Sequence, residues 1–328
     1  MTAWLERIWY SRWGWLFSPL AAVFCLLSCL RRVWLQKTQA APLEKPVIVV
    51  GNITVGGSGK TPLLIALVEH LKEQGVQVGV ISRGYGGRAA HYPLQLGPDT
   101  TAAESGDEPL MIYRRCHCPV VVSADRLQAA RYLLANNPVD IIVSDDGLQH
   151  YRLPRDMEIM VVDGKRGLGN RLCLPAGPLR ETASRLAEAD LLVVNGESKT
   201  QYAAGQFVMQ LQPGSLQPLS KQCTECQPEK NQLVHAVAGI GDPQRFFATL
   251  KNLDYQVQGH SFPDHYNYRA KDLIFSDSKP VLMTEKDAVK CLAMTELDRH
   301  WFLPVSAVLP ENFWLAFDQH IKTVREAS

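Results

Sequence analysis

Lysine, threonine and a set of glycines stand together in GNITVGGSGKTP, residues 51–62. Glycines at 56, 57 and 59 let the backbone N–H groups of Thr54 through Gly59 turn inward around phosphate oxygens, and a helix N-terminus just after them adds partial positive charge. Lys60 is spaced to reach the β- and γ-phosphates of a nucleotide, and the Thr61 hydroxyl to ligate Mg2+. Pro62 stands at the helix start, where its missing N–H costs nothing. The pattern G-x-x-x-x-G-K-[ST] is met except at its first glycine, where this chain has Thr54. Asp145-Asp146 follow the apolar run Val139–Ser144. A carboxylate at the end of a buried strand suits Mg2+, which takes few carboxylates and keeps waters. Asp-Asp-Gly is also good turn sequence, and the metal contact is open between the two aspartates.

These groups need a frame. Short β-branched runs recur at Val47–Val50, Val76–Ser82, Val120–Ser123, Ile141–Ser144, Ile159–Asp163 and Leu191–Asn195, separated by helical patterns such as Pro62–Gln74 and Arg126–Asn136. Continuous apolar strands alternating with helices predict a parallel sheet covered on both faces. The fold class is therefore α/β: a P-loop NTPase-like, doubly wound, mostly parallel sheet over 46–210, with a smaller C-terminal α/β domain over 211–328. The second domain follows the Gln/Pro-rich stretch Gln212–Pro228 and holds strands near Leu233–Ala238 and Val281–Thr284 and a helix over Pro243–Leu253.

The chain has 328 residues, 34 Lys+Arg against 33 Asp+Glu, and 46% apolar residues, an ordinary globular composition. That excludes a disordered chain, a collagen-like chain and a polytopic membrane protein, and it argues against a nucleic-acid binder working through bulk positive charge. Residues 1–45 nevertheless carry six basic and two acidic side chains, a net +4, leaving −3 for the rest. Trp13–Leu30 is an uncharged run bounded by Arg12 and by Arg31-Arg32, and five of seven tryptophans (4, 9, 13, 15, 34) surround it. Indoles and arginines flanking an apolar run suit a membrane interface. The run ends in arginines rather than a cleavage site, which argues against a signal peptide. A membrane-associated helix over 1–45, spanning the bilayer or lying in it, is the expectation, with Pro19 placed to kink it. Cys223-x-x-Cys226 and Cys116-His117-Cys118 are weak spacing for zinc, and reduced thiols are the simpler reading.

A phosphate loop serves kinases, GTPases, ATPases and transporters alike. Thr284-Glu285-Lys286-Asp287 has Glu where the guanine-reading N-K-x-D has Lys, so GTP specificity is not supported. Further clusters are Arg83-Gly-Tyr-Gly-Gly87, Ser105-Gly-Asp-Glu-Pro109, Asp145-Asp-Gly-Leu-Gln-His150, Leu174-Pro-Ala-Gly-Pro-Leu-Arg-Glu181 and Phe262-Pro-Asp-His265. With GNITVGGSGKTP, they resemble the tetraacyldisaccharide 4'-kinase family, the lipid A 4'-kinases of Gram-negative bacteria. The resemblance runs, in order, over nearly the whole chain. Leu148 stands where the family usually has an aromatic, and Tyr266 follows His265.

The resemblance implies transfer of the γ-phosphoryl of ATP, with Mg2+, to the 4'-hydroxyl of an acylated glucosamine disaccharide 1-phosphate at the cytoplasmic face of the bacterial inner membrane. It implies Asp107 as the base and His265 as its partner. Bottom-up, Gly-Asp-Glu-Pro also reads as a helix start. Arg180 is implied to neutralise phosphate charge, Glu181 to support the metal with Thr61, Asp145 and Asp146, and Arg83, Tyr85 and His150 to lie on the substrate side. A membrane-associated P-loop ATPase that couples hydrolysis to a partner or metal is the competing reading; it needs only a positioned water.

Overall fold

The computed structural model describes residues 9, 12–198, 200–220, 227–294 and 296–327. Cys223 and Cys226 lie outside the described residues. The chain forms two compact units: residues 1–83, 118–211 and 307–328 in the first, 84–117 and 212–306 in the second. Two segments fall differently from the sequence boundaries. Residues 84–117 belong with the second unit because the helix Asp107–Cys116 packs on the helix Glu285–Cys291, tied by Arg115–Glu285 at 2.8 Å and Lys286–Glu108 at 2.9 Å. The helix Glu311–Ala327 belongs with the first, where Phe313 and Phe317 are fully buried. There Trp314 stacks on His70 and Asp318 lies 2.8 Å from its ring nitrogen.

In the first unit the strands are β1 (Val47–Gly51), β2 (Val78–Ser82), β3 (Val120–Val122), β4 (Ile141–Asp145), β5 (Met157–Asp163), β6 (Leu191–Asn195) and β7 (Phe207–Pro213). They lie in the order β7-β6-β5-β1-β4-β2-β3, and every pairing among them is parallel. β1, β2, β4, β5 and β6 are buried along their whole length, as their unbroken apolar runs require. β7 alternates in burial and sits outside β6, so its Gln-rich sequence carries no continuous apolar signal. The helix Lys60–Glu73 follows β1 and buries Leu63, Leu64, Leu67, Val68 and Leu71. In parallel order, the carboxyl ends of β1, β4, β5 and β6 deliver Asn52, Asp145, Asp163 and Asn195 to one edge of the sheet, where such folds bind ligands.

The N-terminal helix Ser18–Lys37 lies along the first unit. Pro19 sits in its opening turn, so it starts the helix instead of kinking it. Ala21 and Leu35 are buried, and Phe24 and Cys25 pack on the sheet's core. The segment is tied at both ends: Trp9 Nε1 donates to Pro175 O at 2.9 Å and Ala40 N to Arg152 O at 3.2 Å. Arg32 bonds Glu188 and covers the Tyr151 ring at 5.3 Å. The opposite face is bare: Leu16, Leu20, Val23, Leu27, Leu30 and Trp34 are each more than half exposed.

The second unit carries β8 (Gln217–Pro218), β9 (Leu233–Ala238), β10 (Gln256–Ser261), β11 (Val281–Thr284) and β12 (His300–Leu303) in the order β10-β9-β11-β12-β8, parallel except β8. Asp287, wholly buried, is its polar pin. Its carboxylate accepts from Gly239 N (2.9 Å), Tyr268 Oη (3.1 Å) and Thr284 Oγ1 (2.6 Å), with Lys290 Nζ 2.7 Å away. Replacing Asp287 with Ala strands those donors and leaves a buried ammonium unpaired. The expected cost is about 3–5 kcal/mol, read as a lower urea midpoint at unchanged m-value.

Candidate active site

The phosphate loop is clamped from three sides. A Cβ on Gly51 would lie 2.5 Å from Leu148 Cγ, so β1 must end in glycine for the Asp145–His150 segment to cross it. Gly59 has φ +93°, and a Cβ there would meet Asn195 Nδ2 at 2.4 Å. Asn195 uses that amide to donate to Ser58 O at 3.0 Å. On the third side, Val55 N donates to Pro178 O (2.9 Å) and Arg180 N to Ile53 O (2.7 Å), which lays the Leu174–Glu181 segment beside the loop. Thr54, in the pattern's glycine position, bridges to Leu179 through its backbone, and its hydroxyl accepts from Asn52 Nδ2 at 3.2 Å. Its side chain is thus part of the clamp. Ser58 Oγ is buried without a hydrogen-bond partner among the described residues.

Lys60 donates to Asn52 Oδ1 at 3.1 Å and lies 3.5 Å from Asp146 Oδ1. The two aspartates diverge. Asp145 ends β4 buried, with Oδ2 accepting from Ser82 Oγ at 3.0 Å. Asp146 takes φ +47°, and its carboxylate meets Arg180 Nη1 at 3.1 Å as well as Lys60. Burial opposes ionisation of Asp146, but Lys60 and Arg180 outweigh it and hold its pKa down at about 2. Glu181 is held on both oxygens, by Gln149 Nε2 at 2.8 Å and by the Tyr151 hydroxyl, with Arg185 Nε 3.6 Å away. Burial, then the charges of Arg126, Arg83 and Arg31, push His150 down to about 4, so it is neutral at pH 7. Buried Arg126 props the end of β4, donating to Ser123 O (2.9 Å) and Asp145 O (3.1 Å).

These donors suit Mg2+. The Thr61 hydroxyl in the first helical turn and the ionised Asp146 are hard oxygen ligands. Among the described residues no three His, Cys, Asp or Glu side chains form a metal cage, so a metal here would be completed by phosphate and water.

The second unit holds the other sequence-derived group. Asp107 is the first residue of the helix Asp107–Cys116, where a negative charge is favoured by the helix dipole. Gly106 (φ +90°) precedes it, and a Cβ there would lie 2.6 Å from Tyr85 O, which fixes the Arg83–Gly87 segment against the helix start. Asp107 is buried, and His265 Nδ1 lies 3.1 and 2.9 Å from its two oxygens. Tyr85, largely exposed, covers the imidazole at a centroid distance of 5.1 Å. The two partners, placed by their sequence positions in different domains, belong to one unit, and the pair is already made there. Of the substrate-side trio, Arg83 and His150 fall in the first unit and Tyr85 in the second.

Sequence reasoning missed Asn52, Gln149, Tyr151, Asn195 and Lys286, which hold these groups. Asn52 and Asn195 carried a signal, as polar residues at the carboxyl ends of apolar strands.

The sheet order, the loop and the Lys60–Asp146–Arg180 group together define a protein of the P-loop nucleotide-binding class. The family model for tetraacyldisaccharide-1-P 4'-kinase matches residues 13–322, and this chain belongs to that family. The tetraacyldisaccharide 4'-kinase of Hahella chejuensis is 47% identical over 99% of this chain and 98% of its own length. That of Alkalilimnicola ehrlichii is 52% identical over 88% of this chain and 87% of its own. The structure of LpxK from Aquifex aeolicus in complex with ATP superposes with a TM-score of 0.76 at 28% identity, covering 95% of this chain and 99% of that one.

Linkage gives the Asp107–His265 bond a pH window. Burial works against the charged Asp107, yet the His265 bond and Lys286 bring its pKa below the ordinary 3.8, while the same bond raises His265 above 6.5. The stabilisation is full between those ordinary values. It fades as pH falls through the depressed Asp107 pKa and as pH rises through the elevated His265 pKa. His265→Asn, which tolerates the residue's φ of +60°, should lose about 1–2 kcal/mol near pH 5.5 and much less above pH ~8, read from Tm across pH.

Proposed function

We propose that this protein transfers the γ-phosphoryl group of ATP to the 4'-hydroxyl of a tetraacyldisaccharide 1-phosphate, a step of lipid A biosynthesis. The observation that carries the reading is a phosphate loop with a compensated lysine in the same chain as a buried carboxylate–imidazole pair. A hydrolase needs only a positioned water; a sugar hydroxyl needs a proton acceptor.

Thr54, Val55, Gly56, Gly57, Ser58 and Gly59 wrap the phosphates, and Lys60 and Arg180 neutralise their charge. Asp107 accepts the hydroxyl proton, oriented by His265. Thr61 and Asp146 would hold Mg2+, with Asp145 behind Asp146 and Glu181 steadying water through Gln149 and Tyr151. Bound there, the metal would spread charge over the transferred phosphoryl group. Neutral His150, Arg83 and exposed Tyr85 serve the sugar phosphate, the arginine by charge and the tyrosine by its ring.

An acylated substrate stays in the bilayer. The bare face of Ser18–Lys37 supplies apolar area, and the basic residues of 1–45 supply attraction to anionic lipid. The tethers at Trp9 and Ala40 support a helix lying in one leaflet over one crossing it. ATP places the catalytic units on the cytoplasmic side.

Labelled ATP, Mg2+ and detergent-dispersed tetraacyldisaccharide 1-phosphate should yield a bis-phosphorylated lipid. Phosphate release without lipid product would replace the kinase by an ATPase. Lys60→Ala and Asp107→Asn should each slow transfer by about 10²–10⁴-fold, and near-normal turnover in Asp107→Asn removes it as base. Serine at Leu20, Val23, Leu27 and Leu30 should leave the folded protein in the dense bottom fraction when anionic vesicles are floated; unchanged flotation would rule out this face as the lipid contact.

A further inference from the structure

Three carboxylates surround one ammonium beside the Asp107–His265 pair. Lys286 Nζ lies 2.9 Å from Glu108 Oε1, 3.3 Å from Asp264 Oδ1 and 3.9 Å from Asp107 Oδ2, with its side chain 17% exposed. It projects from the first turn of Glu285–Cys291, whose start is fixed by the Thr284 cap and by buried Asp287. The sequence comparison with guanine-reading motifs left this lysine without a task. We propose that Lys286 is a positioning residue for phosphoryl transfer, an ammonium hub that ties Asp107, Glu108 and Asp264 together and so sets the Asp107 carboxylate against His265. The inference rests on the reading of Asp107 as base.

A lysine with three carboxylates already within 4 Å is poorly placed to capture a phosphate, since an anion would have to displace them. Its burial is repaid only while those partners stay. The hub acts on both members of the pair in one direction. Its positive charge lowers the pKa of Asp107 and of His265, whereas Asp264, with Oδ1 3.8 Å from His265 Nε2, raises that of His265. Other charged or titratable groups beside the cluster also have partners among the described residues. Lys290 and Asp287 pair with each other on the same helix, Glu285 pairs with Arg115, and Tyr85 covers the imidazole. Without Lys286, three carboxylates would crowd one another, and Asp107 would hold its proton to higher pH.

The test uses the full-length protein and follows the His265 ring by NMR through a pH titration, alongside kcat against pH. Lys286→Met should raise the His265 midpoint by about one pH unit and Asp264→Asn should lower it. In Lys286→Met the acid limb of kcat should move to higher pH, with KM for ATP within about twofold of wild type, because the nucleotide loop is untouched. Lys286→Arg, keeping the charge, should bring the midpoint back toward wild type. An unmoved midpoint in Lys286→Met, or shifts of the same sign in Lys286→Met and Asp264→Asn, overturns the proposal. So does loss of folding in both Lys286→Met and Lys286→Gln, which would make the residue purely structural. Full activity in Asp107→Asn overturns the base reading and with it the role of Lys286 in transfer, while the His265 midpoint still reports separately on the hub.

Discussion

A lysine waiting in a phosphate site must be kept extended beside fixed partners before any phosphate arrives. Lys60 is held so by the Asn52 carboxamide and the Asp146 carboxylate. That requirement shapes much of the first unit. Asp146 can reach the lysine because β4 lies beside β1 and the chain turns into a left-handed conformation just after β4. Arg180 joins the same carboxylate because the Leu174–Glu181 segment is stitched to the loop by backbone hydrogen bonds. One carboxylate between two cations stays ionised despite partial burial. The cluster is thus charged in advance of its ligand, which saves reorganisation when the ligand binds.

The second unit meets a related problem with the signs reversed. Asp107 is a buried carboxylate at a helix start, and it is kept ionised by an imidazole and a nearby ammonium. Close backbone approach does the positioning, as it does around the phosphate loop. Gly106 and Gly87 let the Tyr85 segment lie against the helix start, where side chains would collide with main-chain atoms. Glycine is used in both units where two stretches of backbone, or a backbone and an anchored side chain, must come within van der Waals contact.

The N-terminal helix has two unlike faces. Its inner face pairs Arg32 with Glu188 and packs Phe24 and Cys25 on the core, while leucines and Trp34 face outward. A contiguous exposed apolar face of this kind marks an interaction surface. The near-zero net charge of the whole chain conceals this division between a basic apolar end and a slightly acidic remainder.

Residue order alone determined the phosphate loop, the parallel core strands and the family. Those signals are local: unbroken β-branched runs, a glycine-rich turn into an amphipathic helix, and motifs in fixed succession. It did not determine β7 or β10, because a Gln-rich strand at the flank of a sheet is half exposed and its apolar residues do not run together. Nor did it determine who holds whom. Lys286 meets Glu108 across 178 residues of chain, and His265 meets Asp107 across 158, a pairing that only the family resemblance had implied. No spacing rule reaches that far. Tertiary structure chose Asp146 over Asp145 for the lysine, turned both oxygens of Glu181 toward Gln149 and Tyr151, and placed Asp107 and His265 in one unit. The physical reason is the same each time: a buried charge is tolerated only where the fold brings its counter-charge or donors to it, and that is a property of packing.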